Sequence, residues 1–231
     1  LNTRNPKAHQ PVLEHGRRTV IDFASETVRR ILDAAESLFA ENCYAGTRMD
    51  DIAAAAGVNK ATIYYHIGGK DKLYNVVLTR HFAHFADRLE NELAGCDDPL
   101  EGLRGVVRIH AEEFSRNTNA PRTIAHELAG GSSRTTPEVA ACYARIHNTT
   151  ARFVEMGIAR GTMRRIDPTI LNLVLAGSML INTITAPFRD KLAPTLDADH
   201  PPMPSPHDMA AFLETIVIPS LAVAPDTPAP A

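Results

Sequence analysis

TRMDDIAAAAGVNKATIYYHIGGKDKL, residues 47–73, decides how the rest of the chain is read. Met49 to Ala56 has the composition of a short helix, with Thr47 expected as its N-cap. Gly57 supplies the positive φ that lets the chain reverse within three residues, and Val58 plugs the corner. Asn59 is expected to cap a second helix over Lys60–His66, which Gly68-Gly69 ends. This is a helix-turn-helix pattern. Ile52, Ala53, Ala56, Val58 and Ile63 close its angle, small where the helices meet and apolar at the centre. Lys60, Thr62, Tyr64, Tyr65 and His66 are left pointing outwards, with groups short enough to reach base edges and phosphates in a major groove.

Upstream, Ser25 is expected to cap a helix whose Val28, Ile31, Leu32, Ala35, Leu38 and Phe39 recur at helical spacing, giving a three-helix head. The run GVNKATIYYHIGGKDKL, with Thr47 before it and an amphipathic helix ending in LFAENCYAGT before that, resembles the DNA-binding domain of the tetracycline-repressor (TetR) family. The resemblance covers Ser25 to Leu73, and the remainder resembles the family only in layout. Two departures stand out: Ile67 where the family usually carries an aromatic, and Tyr64-Tyr65-His66 where many members have Tyr-His-Tyr. The resemblance implies that Thr47 and Lys70 bracket the groove and bind phosphate. It also implies that Lys60, Ala61, Thr62, Tyr64 and Tyr65 meet bases, and that His66 meets phosphate.

The chain of 231 residues, 44% hydrophobic and 22% charged, has an ordinary globular composition with enough apolar material for a core. Residues 1–73 hold 10 Lys/Arg against 9 Asp/Glu, and residues 74–231 hold 14 against 18. So mild an asymmetry leaves no basic tract that binds nucleic acid by charge alone and points to geometry-driven reading. Cys43, Cys96 and Cys142 lack zinc-knuckle spacing and suit a reduced cytosol, and no signal peptide is expected. Pro168 to Phe188 holds no charge, but Asn172, Ser178, Asn182, Thr183 and Thr185 interrupt it, so a buried helix is expected rather than a membrane span.

Lys70 onward is expected to form a long helix to Gly95, with Leu78, Phe82, Phe85, Leu89 and Leu93 on one stripe. A capping residue followed by proline then recurs as a start signal: Asp98-Pro99, Thr136-Pro137, Asp167-Pro168 and Ser205-Pro206. A shorter helix fits between Pro121 and Ala129. With no sustained period-two alternation, the fold is read as all-α with about nine helices. The expected organisation is an unstructured arm over 1–24, a DNA-binding head over 25–73, an effector-binding and dimerisation body over 74–223, and a tail over 224–231. Residues 189–206 are expected to be a long loop.

In the body, His110 and Phe114 fall on one core-facing stripe, and Tyr143, His147 and Thr150 on another. Such polar groups either satisfy one another in a filled core or meet a ligand in a cavity. The segment Ile170–Ile184 is apolar nearly all round, and Met209, Phe212, Leu213, Ile216 and Val217 form a second apolar stripe. Leu173, Leu180, Ile184, Phe212 and Ile216 are therefore expected at a dimer interface. His81 with His84, and His110 with Glu113, have spacings open to metal, but no third ligand follows, so a solvated face is expected and no metal or cofactor. No nucleophile elbow, phosphate loop or carboxylate pair is visible, so no enzyme is expected. The resemblance implies a cytoplasmic homodimer that binds double-stranded operator DNA, and a small-molecule effector that acts by moving the long helix. The rivals are a small-molecule-binding or enzymatic all-α domain and a metal sensor.

Overall fold

The structure, a computed structural model, describes residues 21–197 and 199–223. The first twenty residues of the expected arm and the whole expected tail lie outside them. The described residues form helices with no strand, and a lone antiparallel bridge joins Met163 to Ala222. The head comprises α1 (Glu26–Gly46), α2 (Met49–Ala56) and α3 (Lys60–His66), followed by the long α4 (Lys70–Glu92). The body continues with α5 (Pro99–Arg116), α6 (Asn119–Ala129), α7 (Pro137–Ala159) and α8 (Pro168–Ile184).

Every cap-proline signal starts a helix. Asp98, Thr136, Asp167 and Ser205 each accept a hydrogen bond from a backbone N–H of the first turn, and Ser205 with Asp208 completes a capping box. Proline costs nothing at the first helical position, where its missing N–H has no partner to lose. Part of the expected loop over 189–206 is helical: α9 (Ala186–Leu192) and a 3₁₀ turn (Ala193–Thr195) run into it. Arg189 ties that segment back by donating to the carbonyls of Asn182 (2.6 Å) and Pro204 (3.0 Å). The last helix is not regular either. α10 (Pro206–Phe212) widens into a π-helical stretch (Leu213–Val217) before α11 (Ile218–Ser220).

Two apolar clusters hold the molecule. The first gathers Val28, Ile31, Leu32, Phe39, Ile52, Ile63 and Ile67, and it does not stop at Leu73, since Tyr74, Val77, Leu78 and Val139 from α7 join it. The second packs Leu89, Leu103, Val107, Phe153, Leu175, Met179 and Leu213. Half-buried Phe82 packs against both. α4 therefore shares its buried surface between head and body. Close approach of α5 to α7 is set at Gly102, where any Cβ would fall 2.2 Å from the Phe153 ring.

No single helix among the described residues is long and apolar enough to cross a membrane; α8 and the segment after it qualify only as a pair, bent by 56°.

Candidate nucleic-acid interface and ligand cavity

The corner of the head forms as its residues dictate. Gly57 closes α2 in the left-handed region at φ 62°, and its N–H returns to the carbonyl of Ala54. Arg30 of α1 buttresses the same corner by donating to the carbonyls of Ala56 and Gly57. Asn59 caps α3, its side chain accepting from the Thr62 N–H at 2.8 Å. Ile63 and Ile67 are wholly buried, so the aliphatic residue at position 67 fills the place under the helix end. The opposite face is open: Tyr64 is 50% and Tyr65 76% exposed, Ala61 is exposed, and His66 stands edge-on to Tyr65. Lys60 rests on Asp50 at 3.0 Å and Thr62 on Asn59 at 2.9 Å, both across exposed contacts that a phosphate can exchange. Lys70, at the start of α4, holds its ammonium 4.2 Å from the centre of the Tyr44 ring, with the Arg134 guanidinium 4.1 Å from the same ring.

Thr47 departs from expectation twice. It is not the cap of α2, since Arg48 occupies that position, and it lies 2% exposed. Its hydroxyl lies 2.7 Å from the Cys43 carbonyl and 3.0 Å from that of Leu38, both acceptors that claim its one proton. A kink requires this anchor: Cys43 has φ 53°, and the last turn of α1 is broken there. The hydroxyl is thus held inside the fold. Thr47→Ala is therefore expected to lower stability by about 1–3 kcal/mol through unpaired carbonyls, seen as a lower urea midpoint. An unchanged midpoint together with weaker DNA binding would restore the phosphate role.

In the body, a cavity of about 400 Å³ opens between α1, α4, α5, α6, α7 and α8. Its apolar wall includes Phe82, Phe85, Phe114, Ile124, Ile146 and Leu180, and its polar groups are Glu36, Arg80, His81, His84, His110, Glu113, Asn117, Tyr143 and Asn172. Of the expected pocket residues, His110, Phe114 and Tyr143 do line it. His147 and Thr150 do not. His147 is half-buried against the Thr169 hydroxyl at 3.2 Å, and Thr150 is wholly buried, donating to Asn172 at 3.3 Å. On α7, Val139, Ile146, Thr149, Thr150, Phe153 and Val154 are buried, leaving 143 and 147 on the flank.

His110 is a satisfied core residue and a cavity wall at once. Its Nδ1 lies 2.8 Å from the Val106 carbonyl, and its ring stands edge-on to Phe85 at 4.4 Å. Burial pushes its pKa down to about 4, so it is neutral at physiological pH. With Nδ1–H donating to Val106, Nε2 carries the lone pair and accepts.

His81 is corrected as well. Rather than lying on a solvated face, it forms cavity wall with a buried Nε2 that has no hydrogen-bond partner, and burial lowers its pKa. His84 is exposed, 3.5 Å from Glu113. No group of three or more His, Cys, Asp or Glu able to hold a metal ion occurs among the described residues.

On α8, Ile170, Leu173, Val174 and Ile181 are 44–62% exposed, and on the last helix Phe212 and Ile216 are 52% and 58% exposed. The second stripe is split by this arrangement, for Leu213 is buried and Met209 and Val217 pack on the core. Leu180 also turns inward to the cavity, and Ile184 is half-buried.

The sequence profile described as "Bacterial regulatory proteins, tetR family" matches residues 31–77, which hold most of α1, all of α2 and α3, and the start of α4. Over these residues the chain carries a TetR-family DNA-binding segment. Among TetR regulators it is 38% identical over 60 residues to the biofilm operon negative transcriptional regulator IcaR of Staphylococcus epidermidis. That match takes in 26% of this chain and 32% of IcaR, so the chain spans about a third of that relative's length. Across the whole fold, the fatty acid degradation regulator FadR of Bacillus halodurans superposes with a TM-score of 0.66 at 17% identity, covering 84% of this chain and 95% of the other. AibR, solved in complex with isovaleryl coenzyme A and operator DNA, superposes with 0.66 at 22% identity, covering 84% and 99%. At these identities the likeness is one of fold.

Sequence reasoning missed the polar end of the cavity. Glu36 sits on the head's α1, yet its carboxylate accepts from the Asn117 side chain at 2.6 Å across 81 residues of chain. Arg80 likewise joins Asp33 at 2.7 Å. No local period announces partners so distant. The pairing of His81 with Phe85 one turn on, beside the expected stripe of α4, is the one local signal for a second buried face.

Proposed function

We propose that the protein is a cytoplasmic transcriptional regulator, a homodimeric repressor that holds a two-fold operator through α3 and is released by a small molecule taken into the cavity. The observation that carries this reading is the helix-turn-helix of residues 47–73, whose second helix buries Ile63 and leaves Ala61, Tyr64 and Tyr65 outward within the matched segment. Residues 25–73 act as the DNA-reading unit and 74–223 as the effector and dimer unit. On α3, Lys60, Ala61, Thr62, Tyr64 and Tyr65 read bases, while His66 and Lys70 take phosphate, with Ala61 suited to a thymine methyl. IcaR is named a negative regulator, and AibR was solved with operator DNA and an acyl coenzyme A, which supports repression and ligand response.

The cavity touches both helices that carry the head. Glu36 belongs to α1, and Arg80 and His81 belong to α4. A ligand that binds one arrangement of these helices better than the other shifts the population of DNA-competent dimers by its differential affinity. Two chains meet through the outward residues of α8 and the last helix, Leu173, Phe212 and Ile216 together with Ile170, Val174 and Ile181, which form an apolar face too continuous for solvent.

Lys70→Ala tests the phosphate assignment. It is expected to weaken binding to specific and random DNA alike and to lower the slope of log affinity against log salt by about 1. Anisotropy titrations at several salt concentrations read it, and an unchanged slope removes Lys70 from the interface. Tyr65→Ala, by contrast, is expected to change which sequences are preferred.

A further inference from the structure

Within the reading of the cavity as the effector site, the chemistry of its walls selects a ligand class. The charged lining residues are Glu36, Glu113 and Arg80, a formal excess of one negative charge. Arg80 pairs with Asp33 at 2.7 Å and has Glu36 4.0 Å away, so two carboxylates already face its charge. Glu113 is held by Arg88 at 3.1 Å and faces His84 at 3.5 Å, while Glu36 accepts from Asn117. A carboxylate has about four acceptor positions, so both retain lone pairs after these contacts. The neutral His110 adds an acceptor at Nε2, given that its Nδ1 is occupied by Val106. His81 contributes a buried nitrogen with no partner in the same wall. Around them stand Phe82, Phe85, Phe114 and Tyr143, whose rings attract cations through their quadrupoles. Carboxylates outnumber the lining's one guanidinium, whose charge Asp33 and Glu36 already face.

We infer that the cavity takes a compact apolar organic cation, an ammonium on an aryl or alkyl body, with its nitrogen at the Glu36–Glu113 end and its body among Phe82, Phe85, Phe114 and Tyr143. Burying such a charge is costly unless it is paired, and the two carboxylates supply the pairing. Because Glu36 belongs to α1, the ligand's charge acts on the head directly as well as through α4.

A matched series on one skeleton tests this: 2-(1-naphthyl)ethylamine, 2-(1-naphthyl)ethanol and 1-naphthylacetate, with isovaleryl coenzyme A beside them. Calorimetry and thermal melts on the full chain without DNA are expected to give the amine the tightest binding, the alcohol weaker binding, and the carboxylate and thioester none. Glu36→Gln is expected to cut the amine's preference over the alcohol at least tenfold. Gly177→Phe, where an added Cβ meets nothing within 4 Å, is expected to fill the cavity and abolish binding, and it gives a reading even where Glu36→Gln does not fold. Tighter binding by the carboxylate or the thioester overturns the inference. So does a folded Glu36→Gln protein with undiminished preference, wild-type binding by Gly177→Phe, or no binding across the series. If the amine binds as expected but leaves DNA affinity unchanged in a separate titration, the ligand class stands and the effector reading fails.

Discussion

Ile216→Asp is expected to give a folded chain that sediments as a monomer at micromolar concentration and binds operator DNA about a hundredfold or more weaker than the wild type. Ile216 is 58% exposed in the single chain, next to a helix surface where Ile170, Leu173, Val174 and Ile181 are equally bare. In a two-fold bundle, each of these would be covered by its symmetry mate, and a carboxylate there would be buried with no cation to pair it. In the isolated chain it sits in water and costs little. The variant therefore separates association from folding, which Leu180 cannot do, because Leu180 lines the cavity. DNA binding falls so far because a dimer converts the second half-site contact into an intramolecular event worth a factor of about 100 to 10,000. A wild-type protein that sediments as a monomer, or an Ile216→Asp dimer, contradicts the interface.

The second large effect is on stability against pH. His110 titrates near 6.5 when unfolded and at about 4 in the fold. Between those values the unfolded chain binds the extra proton, so stability falls as the pH is lowered through 6.5 and levels off below about 4. The loss from this one residue amounts to about 2 kcal/mol by pH 5 and about 3 by pH 4. His81, also pushed down by burial, acts in the same direction. Glu90 and Glu101, held down by Arg145 and Arg108, add their losses only once the pH approaches the ordinary carboxylate range. Urea unfolding from pH 7 to pH 5 therefore isolates the histidines. His110→Gln keeps an N–H able to reach the Val106 carbonyl without titrating, and it is expected to remove most of the slope. The same slope in His110→Gln would mean that another group governs it.

Elements announced by local chemistry were legible in the sequence. Asp98, Thr136, Asp167 and Ser205 cap as their proline neighbours imply, and Gly57 and Asn59 define the turn and start of α3. Errors arose where one residue of offset changes the outcome. Thr47 reads as a cap, but the break at Cys43 swings it inward and leaves position 48 as the cap. On α7, Val139, Thr150 and Val154 are buried as the stripe implies, but His147 falls on the half-buried flank and Thr150 bonds to Asn172, so neither reaches the cavity. A regular helical period over 206–220 likewise overlooks the π-helical stretch, and the single stripe it implies divides, with Leu213 inward and Phe212 outward. The junction of head and body was invisible for a different reason. Glu36 with Asn117, Asp33 with Arg80, and the His126 ring with the Ala40 carbonyl are meetings of distant segments, set by packing and by no local pattern.

Sequence-specific DNA reading by a dimer is tested most directly by fragment selection. Purified protein is mixed with sheared DNA from the source genome at 0.15 M salt, the retained fragments are sequenced, and the best is titrated by anisotropy against random DNA. The expected result is an inverted repeat bound at nanomolar concentration by two chains, at least a thousandfold tighter than random sequence. Retention of no fragment above random DNA would contradict it.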